Sequence, residues 1–586
     1  MSRMLKGGTF QNRYVFNGVL TAQSPVHIGS GEMIERPGMM DDKNKPLQIS
    51  SVVVDRENKP YIPGSSLRGA MRDWLREVLQ EQDRENKELN TAIRPLIENA
   101  KKKNAKPEEI SKEIADIIAK NKERMELLFG SAFAEGKIEV WDARCTSIVT
   151  TPSDNMLCGW HKDRLTYVAK SVAINPETGT AVDKKLYNFE LVPEGACFNI
   201  TLTSQNLSDE DVALILHALD GFGHPTSPLA LGSMTKRGFG RFTLRKLAVY
   251  RLVKDDKRDD IKTWKTLCAK DNLAGYDSIC REEFRIKDNN EIAKLKETVK
   301  CQALASVQLR TEWTLNLETP LVVRSGSKFG WKNARAPKTR NYQIQYKWGE
   351  QTLDKIADLY FSLKIDGQKV GPYYHIPSSS IRGSLRGWTI KHLLPEQWWN
   401  IEKCLKEYAK QQSRPILPSY LGNILSLFGF VVKTRDKSLD EKFTCAGRLT
   451  IDVSPFAGNQ TNPDVDGTWL SDVNNPNDYG PTNVNRHIKT RNPLDRITNA
   501  ARETGLHSGL EFSKGQAFTV TLIVVAPKKK KDSGQAGMTE DREQNEFDKR
   551  LIDWWCNEIN TGMIRFGGLS SIGRGRVTAQ EAKDVK

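Results

Sequence analysis

Two short stretches of this chain place serine hydroxyls and arginines at the start of a helix, a combination suited to phosphate. Residues 62–72 read IPGSSLRGAMR, and residues 376–386 read IPSSSIRGSLR. In each, a proline turn precedes serines that can cap the helix that follows. Leu67, Met71, Trp74 or Leu75, and Val78 recur at helical spacing and predict a buried face. Arg68 and Arg72 lie four apart on a neighbouring face, as do Arg382 and Arg386 in the second copy. Two readings stand. Either these are solvated helix charges, or Ser65, Ser66, Arg68 and Arg72, with Ser379, Ser380, Arg382 and Arg386, hold phosphate at the helix N-terminus.

A second repeated feature is rich in glycine. GSMTKRGFGR (232–241) closes the first half, and GLSSIGRGR (568–576) closes the second. Neither is a dinucleotide fingerprint, because both lead into β-type sequence, and no GxxxxGK[ST] occurs. Glycine permits a close backbone approach. The stretches suit tight strand packing at a domain end, or docking of an anion or nucleic-acid backbone on Lys236, Arg237, Arg241, Arg574 and Arg576.

Aromatic residues interleaved with bases form the third feature. One loop holds Trp160, Lys162 and Arg164; another, 324–347, holds Arg324, Lys328, Trp331, Lys332 and Arg335. Rings that stack on bases beside cations that track phosphates suit single-stranded nucleic acid. The net charge of +15 points the same way.

The elements that must position these residues are also written twice, in one order. SPVHIGSG (24–31) faces TPLVVRSG (319–326); then come the serine–arginine helix, an LFG (128–130 and 427–429) leading to a strand (GKIEVWD and GRLTID), and the glycine stretch. Repetition on this scale means two domains. We divide the chain into a first domain (1–253) with a helical insertion at about 81–126 and a thumb-like loop at about 146–190. A connector (254–305) and a second domain (306–586) follow, the latter with loop insertions at about 324–347, 453–505 and 527–545. His217, on the apolar face of a helix, reads as a core histidine. The nine cysteines form no CxxC, so neither a disulfide framework nor a structural zinc site is expected, and the expected setting is the reducing cytoplasm. No apolar run nears the ~20 residues of a membrane span, and residues 1–16 lack the apolar stretch of a signal peptide.

The ordered set of HIGSG loop, IPGSSLRG after a strand, LFG and a closing GxGR resembles the CRISPR-associated RAMP superfamily. It is most similar to the backbone subunit of type III RNA-guided effector complexes, here as a tandem fusion of two subunits. The resemblance implies an α+β fold with two ferredoxin-like (RRM-like) domains, each with thumb-like insertions. It implies guide RNA (crRNA), complementary target RNA and other CRISPR effector subunits as partners, and no membrane.

It also implies an acidic residue, in the loop before the strand that leads to the serine motif, that cuts target RNA with Mg²⁺ or Mn²⁺. Asp358 stands there in the second domain and is the expected catalytic and metal-binding residue. In the first domain the corresponding strand starts without an acid, and Asp41 and Asp42 are the nearest candidates. His27 is given no catalytic role, since the second domain has Val323 or Arg324 in its place. Two alternatives remain open. The chain is a structural backbone that cuts nothing, or a guide-processing endonuclease that uses a histidine base without metal.

Overall fold

The computed structural model describes residues 10–40, 46–78, 124–130, 135–147, 161, 164–174, 181–225, 227–254, 260–271, 275–299, 307–323, 330–331, 342–343, 346–348, 351–353, 359–363, 370–374, 376–394, 419–429, 447–454, 486–491, 507–526 and 536–581. Most of the helical insertion expected at 81–126 and of the loop expected at 453–505 lies outside these, whereas the loop expected at 527–545 is shorter than its expected bounds, since the helix Ala536–Asn560 takes up residues 536–545.

The first repeat is built on the strand Asn12–Ala22, whose alternating side chains face two cores. It pairs antiparallel with Phe242–Val253 on one side and Cys197–Gln205 on the other. Beyond Cys197–Gln205 come Ile138–Val140 and Ala143–Cys145, then Tyr61–Ile62. The helices Gly64–Val78 and Asp209–Asp220 supply the two crossovers. The chain order strand, helix, strand, strand, helix, strand thus gives the sheet order fourth, first, third, second, which is the ferredoxin-like arrangement. Leu67, Met71, Trp74 and Leu75 are buried in the core with Tyr14, Phe16 and Leu20. The second crossover helix begins with a reciprocal Ser208–Asp211 capping box.

The second repeat has the same plan. Val307–Leu317 lies between Val577–Glu581 and Ala517–Val525, with Leu449–Val453 outermost. Its helices are Ser378–Leu393 and Ala536–Asn560. Trp555 is fully buried, and its indole N–H donates to Thr389 Oγ1 at 2.8 Å. One cluster of buried apolar side chains runs through both repeats.

The segment read as a connector covers the outer face of the first sheet. Ile279 and Phe284, with Trp264 and Leu267 alongside, pack on Val15 and Leu252. The helix Asn289–Glu297 lies against Asp209–Asp220, where His217 Nε2 meets the carbonyls of Lys296 and Val299 at 3.0 and 3.2 Å.

A second sheet stands on the first repeat. It contains Gly29–Met40, Pro46–Val52, Ala181–Leu191 and Tyr167–Ile174, and it is extended by Gly330–Trp331 and Tyr342–Gln343 from the other half of the chain. The Tyr167–Ile174/Ala181–Leu191 hairpin corresponds to Arg486–Arg491/His507–Phe512 in the second repeat. No described helix is long and apolar enough to cross a membrane.

Candidate nucleic-acid interface

The two glycine stretches are superimposable in their hydrogen bonds. Ser233 N–H donates to His27 O at 2.8 Å, and Gly568 N–H to Val322 O at 2.7 Å. Gly240 N–H donates to Pro25 O, and Gly575 N–H to Pro320 O, at 2.9 and 3.0 Å. Each stretch therefore straps the loop that follows the first strand of its repeat. Gly240 and Gly575 hold φ of +73° and +74°, and a Cβ on either would fall 1.9 or 1.8 Å from the carbonyl oxygen of Leu231 or Phe566. The fold itself demands these two glycines. These bonds also fix the correspondence of side chains. Arg576 stands where Arg241 does, Arg574 where Phe239 does, and Ile572 where Arg237 does.

The serine–arginine helices differ in how their starts are covered. In the first repeat Gly64 N–H donates to Asp142 Oδ1 at 2.8 Å, so a carboxylate already sits at the positive helix end. Ser65 is exposed and Ser66 partly so. In the second repeat Pro377 precedes the helix with no side-chain cap. The glycine turn of the first repeat lies there instead, with a Gly238 Cβ position 3.0 Å from Ser378 Oγ. Ser379 and Ser380 are partly buried beside it.

The arginines of these helices are of two kinds. Arg68 is exposed. Arg72 pairs with the buried Glu126 at 3.1 Å and donates to Gly130 O. Arg382 donates to Leu449 O at 2.6 Å and Phe428 O at 2.7 Å, over the Phe428 ring. Burial, with Arg237 and Arg386 nearby, pulls the Arg382 guanidinium down to about 10, so it remains charged at neutral pH. Burial lowers Arg386 as well. A guanidinium held near other guanidiniums inside a protein favours an anion beside it.

Among the loop arginines, Arg237 donates to Tyr187 Oη at 2.8 Å on the second sheet, and Lys236 shares its turn. Arg241 pairs with Asp452 across the two repeats. Arg574 pairs with the buried Glu511 at 2.8 Å, and Arg576 is exposed. Trp331 pairs through its backbone with Met39. Trp160, Lys162, Arg324, Lys328, Lys332 and Arg335 lie outside the described residues, as do Asp41, Asp42 and Asp358. The strand Leu359–Leu363 begins directly after Asp358 and pairs with Val370–Tyr374, which leads to the second serine motif. Among the described residues no group of three or more His, Cys, Asp or Glu is placed to hold a metal ion.

Sequence reasoning did not single out Glu190, Tyr187, Asp142 or Asp452. Glu190 is fully buried and accepts from Ser51 Oγ, Val52 N, Arg164 Nη2 and Thr166 Oγ1, which ties its strand to Pro46–Val52 and to residues 164–166, while its backbone carbonyl lies 2.6 Å from His27 Nδ1 of the HIGSG loop. Its signal was weak, being one acid inside an apolar strand, FELV. Tyr187 is an exposed ring beside Arg237 and packs on Phe189, which touches His27 and Phe239.

A comparison with curated proteins finds no match. A comparison with family models matches the RAMP superfamily twice, over residues 19–243 and 314–578. Each match runs from within the first strand of a ferredoxin-like sheet to the start of its last strand and includes the glycine strap, and together they cover most of the chain: it belongs to the RAMP superfamily, with two RAMP domains in tandem.

Proposed function

We propose that this chain is a backbone subunit of a type III CRISPR ribonucleoprotein that holds guide RNA and cleaves the complementary target RNA. The coarser statement follows from the family: the chain is a CRISPR-associated RNA-binding subunit. The observation that carries the finer one is the doubling of a whole RAMP domain, glycine strap included, in one chain. Two such units in series present one set of cations in each repeat along a strand of RNA. The proposed contacts are Ser65, Ser66, Arg68, Lys236 and Arg237 in the first repeat, and Ser379, Ser380, Arg386 and Arg576 in the second. Arg72, Arg382, Arg241 and Arg574 belong to the same surfaces, and their charges act on RNA while their hydrogen bonds hold the fold. The basic loops with Trp160, Lys162, Arg324, Lys328, Trp331, Lys332 and Arg335 add to the same binding.

Cleavage is assigned to Asp358 in the second repeat and to Asp41 or Asp42 in the first. These carboxylates would hold Mg²⁺ or Mn²⁺, which would relieve charge on the oxygens of the scissile phosphate. A carboxylate can also take part in proton transfer from the attacking 2′-hydroxyl, an effect worth roughly 10²–10⁴-fold. A second reading, a structural subunit that cuts nothing, is favoured in the first repeat by the strand Pro46–Val52, which carries no acid. The partners are guide RNA, target RNA and other effector subunits, in the cytoplasm.

The test is target cleavage by the assembled complex with Mg²⁺ and an end-labelled RNA complementary to its guide. Loss of one product band in Asp358→Ala, with RNA binding retained, is the expected result. Survival of every band in Asp358→Ala and in Asp41→Ala/Asp42→Ala would leave the chain a scaffold.

A further inference from the structure

One face of the second sheet is half covered by the first glycine strap, and strand pairing fixes what stands on it. Phe189 is opposite Ala169, Met33 is opposite Ser50, and a parallel contact of Ser50 with Phe189 joins the two pairs. Tyr187, two residues before Phe189, lies on the same face at the border of the covered part. Met33 is 58 % exposed and Tyr187 40 % exposed, which places them among the few large apolar side chains open to water among the described residues.

Tyr187 is anchored at both ends. Its Oη accepts a hydrogen bond from Arg237 Nη1 at 2.8 Å. Its ring centroid lies 5.7 Å from that of Phe189, with the planes 31° apart. Phe189 is itself buried and meets Phe239 of the strap at 6.3 Å and His27 at 6.1 Å, both edge-on. A free surface side chain loses rotamer freedom when a ligand fixes it. Here folding has already fixed the ring, so a ligand meets little of that loss. Among the described residues Arg237 engages only Nη1, with Tyr187 Oη and Met234 Sδ. A guanidinium has five N–H donors, so Nε and Nη2 stay open to an anion.

A fixed ring with an open face, beside a cation with donors to spare, matches one nucleotide. The base lies on the ring and the phosphate meets the guanidinium. The base must be unpaired, because a duplex keeps its base faces covered. The second repeat lacks two of these parts. Val26 bridges Val192 as Leu321 bridges Phe512, so His507 stands at the place of Tyr187 and Gly509 at the place of Phe189. Ile572 stands at the place of Arg237. Neither the supporting ring nor the cation is repeated.

We propose that Tyr187 and Arg237 form a stacking site for one unpaired RNA base and its adjoining phosphate, and that this site belongs to the first repeat alone. It deepens the RNA-binding reading and rests on it.

The test titrates the purified full chain with end-labelled single-stranded RNA, read by fluorescence anisotropy over a range of salt. Tyr187→Ala is expected to weaken binding by about 5- to 100-fold, the effect of one base–aromatic stack, with the salt dependence unchanged. Tyr187→Leu keeps an apolar side chain on Phe189 and is expected to lose as much, which separates stacking from support of the fold. Tyr187→Phe keeps the ring and should stay within about threefold of wild type. Arg237→Gln should instead make the slope of log K against log salt shallower by about 0.7, the mark of one phosphate contact on a single strand. A fluorescent aminopurine moved base by base along the RNA should be quenched at one position in wild type and not in Tyr187→Leu. Wild-type affinity in both Tyr187→Ala and Tyr187→Leu would overturn the stacking site and leave the RNA-binding reading standing. An equal loss in His507→Ala would overturn its restriction to the first repeat. A wild-type chain that binds no RNA would overturn the reading itself, and the site with it.

Discussion

Each repeat must close the short helix that precedes its second strand, and the two do so with different arginines. In the first, Arg72 reaches Gly130 O and is balanced by the buried carboxylate of Glu126. In the second, Arg382, one turn earlier in its own helix, takes Phe428 O and Leu449 O, with no ion-pair partner among the described residues. The need is common, because the carbonyls at a helix C-terminus favour a cation. The means diverged, and among the described residues the Arg72 charge is balanced by Glu126 while Arg382 has two carbonyls. The strand–helix tie behind it diverged too. Lys137 pairs with Asp211 at 2.6 Å with 37 % and 11 % of the side chains exposed, whereas Arg448 and Asp548 pair at 2.7 Å with 5 % and 0 % exposed. A shared backbone thus leaves the polar ties free to drift between a solvated and a buried form.

The sharpest way to break that comparison is to cut the two ties. Arg448→Ala strands Asp548 in the core, and its expected loss is about 3–5 kcal/mol. Lys137→Ala leaves a carboxylate that water can reach, with an expected loss below ~1 kcal/mol. Urea unfolding with hydrogen exchange read separately in the two sheets measures both, and equal losses would refute the distinction.

The glycine straps give the next effect, here one of likeness. Gly240→Ala and Gly575→Ala each combine left-handed strain with a clash, and the expected loss is roughly 2–5 kcal/mol in either repeat. The neighbouring position separates the repeats. Gly573→Ala pays only the backbone strain, about 1–2 kcal/mol, while Gly238→Ala also pushes the repeats apart. Thermal melts of the four variants, with small-angle scattering for the last, give the order.

Smaller still is the cap. Asp142→Ala removes a carboxylate from a helix start in the first repeat only, and the expected loss is about 1 kcal/mol. Exchange protection of the first turn of Gly64–Val78 reads it directly. Val453, which stands in the place of Asp142, offers no such cap, and Val453→Ala should leave the first turn of Ser378–Leu393 unchanged.

The repeat and the serine–arginine helices were legible in the sequence because they rest on local pattern, and the ferredoxin-like fold came with the family resemblance that those motifs carry. Leu67, Met71 and Leu75 sit one turn apart, and glycines recur at fixed places. The partners of the cations were not legible. Nothing near Arg72 announces Glu126, and nothing near Arg241 announces Asp452, since folding alone brings them together. The second sheet was hidden for a related reason. Its hairpin Tyr167–Ile174/Ala181–Leu191 mixes lysines into the strands, and the register that buries Glu190 shows only once Ser51 and Arg164 arrive from elsewhere. The segment 254–305 looked like a linker because charges outnumber the apolar residues, Trp264, Leu267, Ile279 and Phe284, that pack on the sheet.

The most direct measurement is photo-cross-linking of a thiouridine-substituted guide RNA in the assembled complex, with the cross-linked peptides mapped by mass spectrometry. Two RNA-holding units in series require cross-links in both repeats, near residues 65–68 and 236–237 and near residues 379–386 and 574–576, at two positions along the guide. Cross-links confined to one repeat, or absent from both, would contradict the view that the chain is a doubled guide-binding unit.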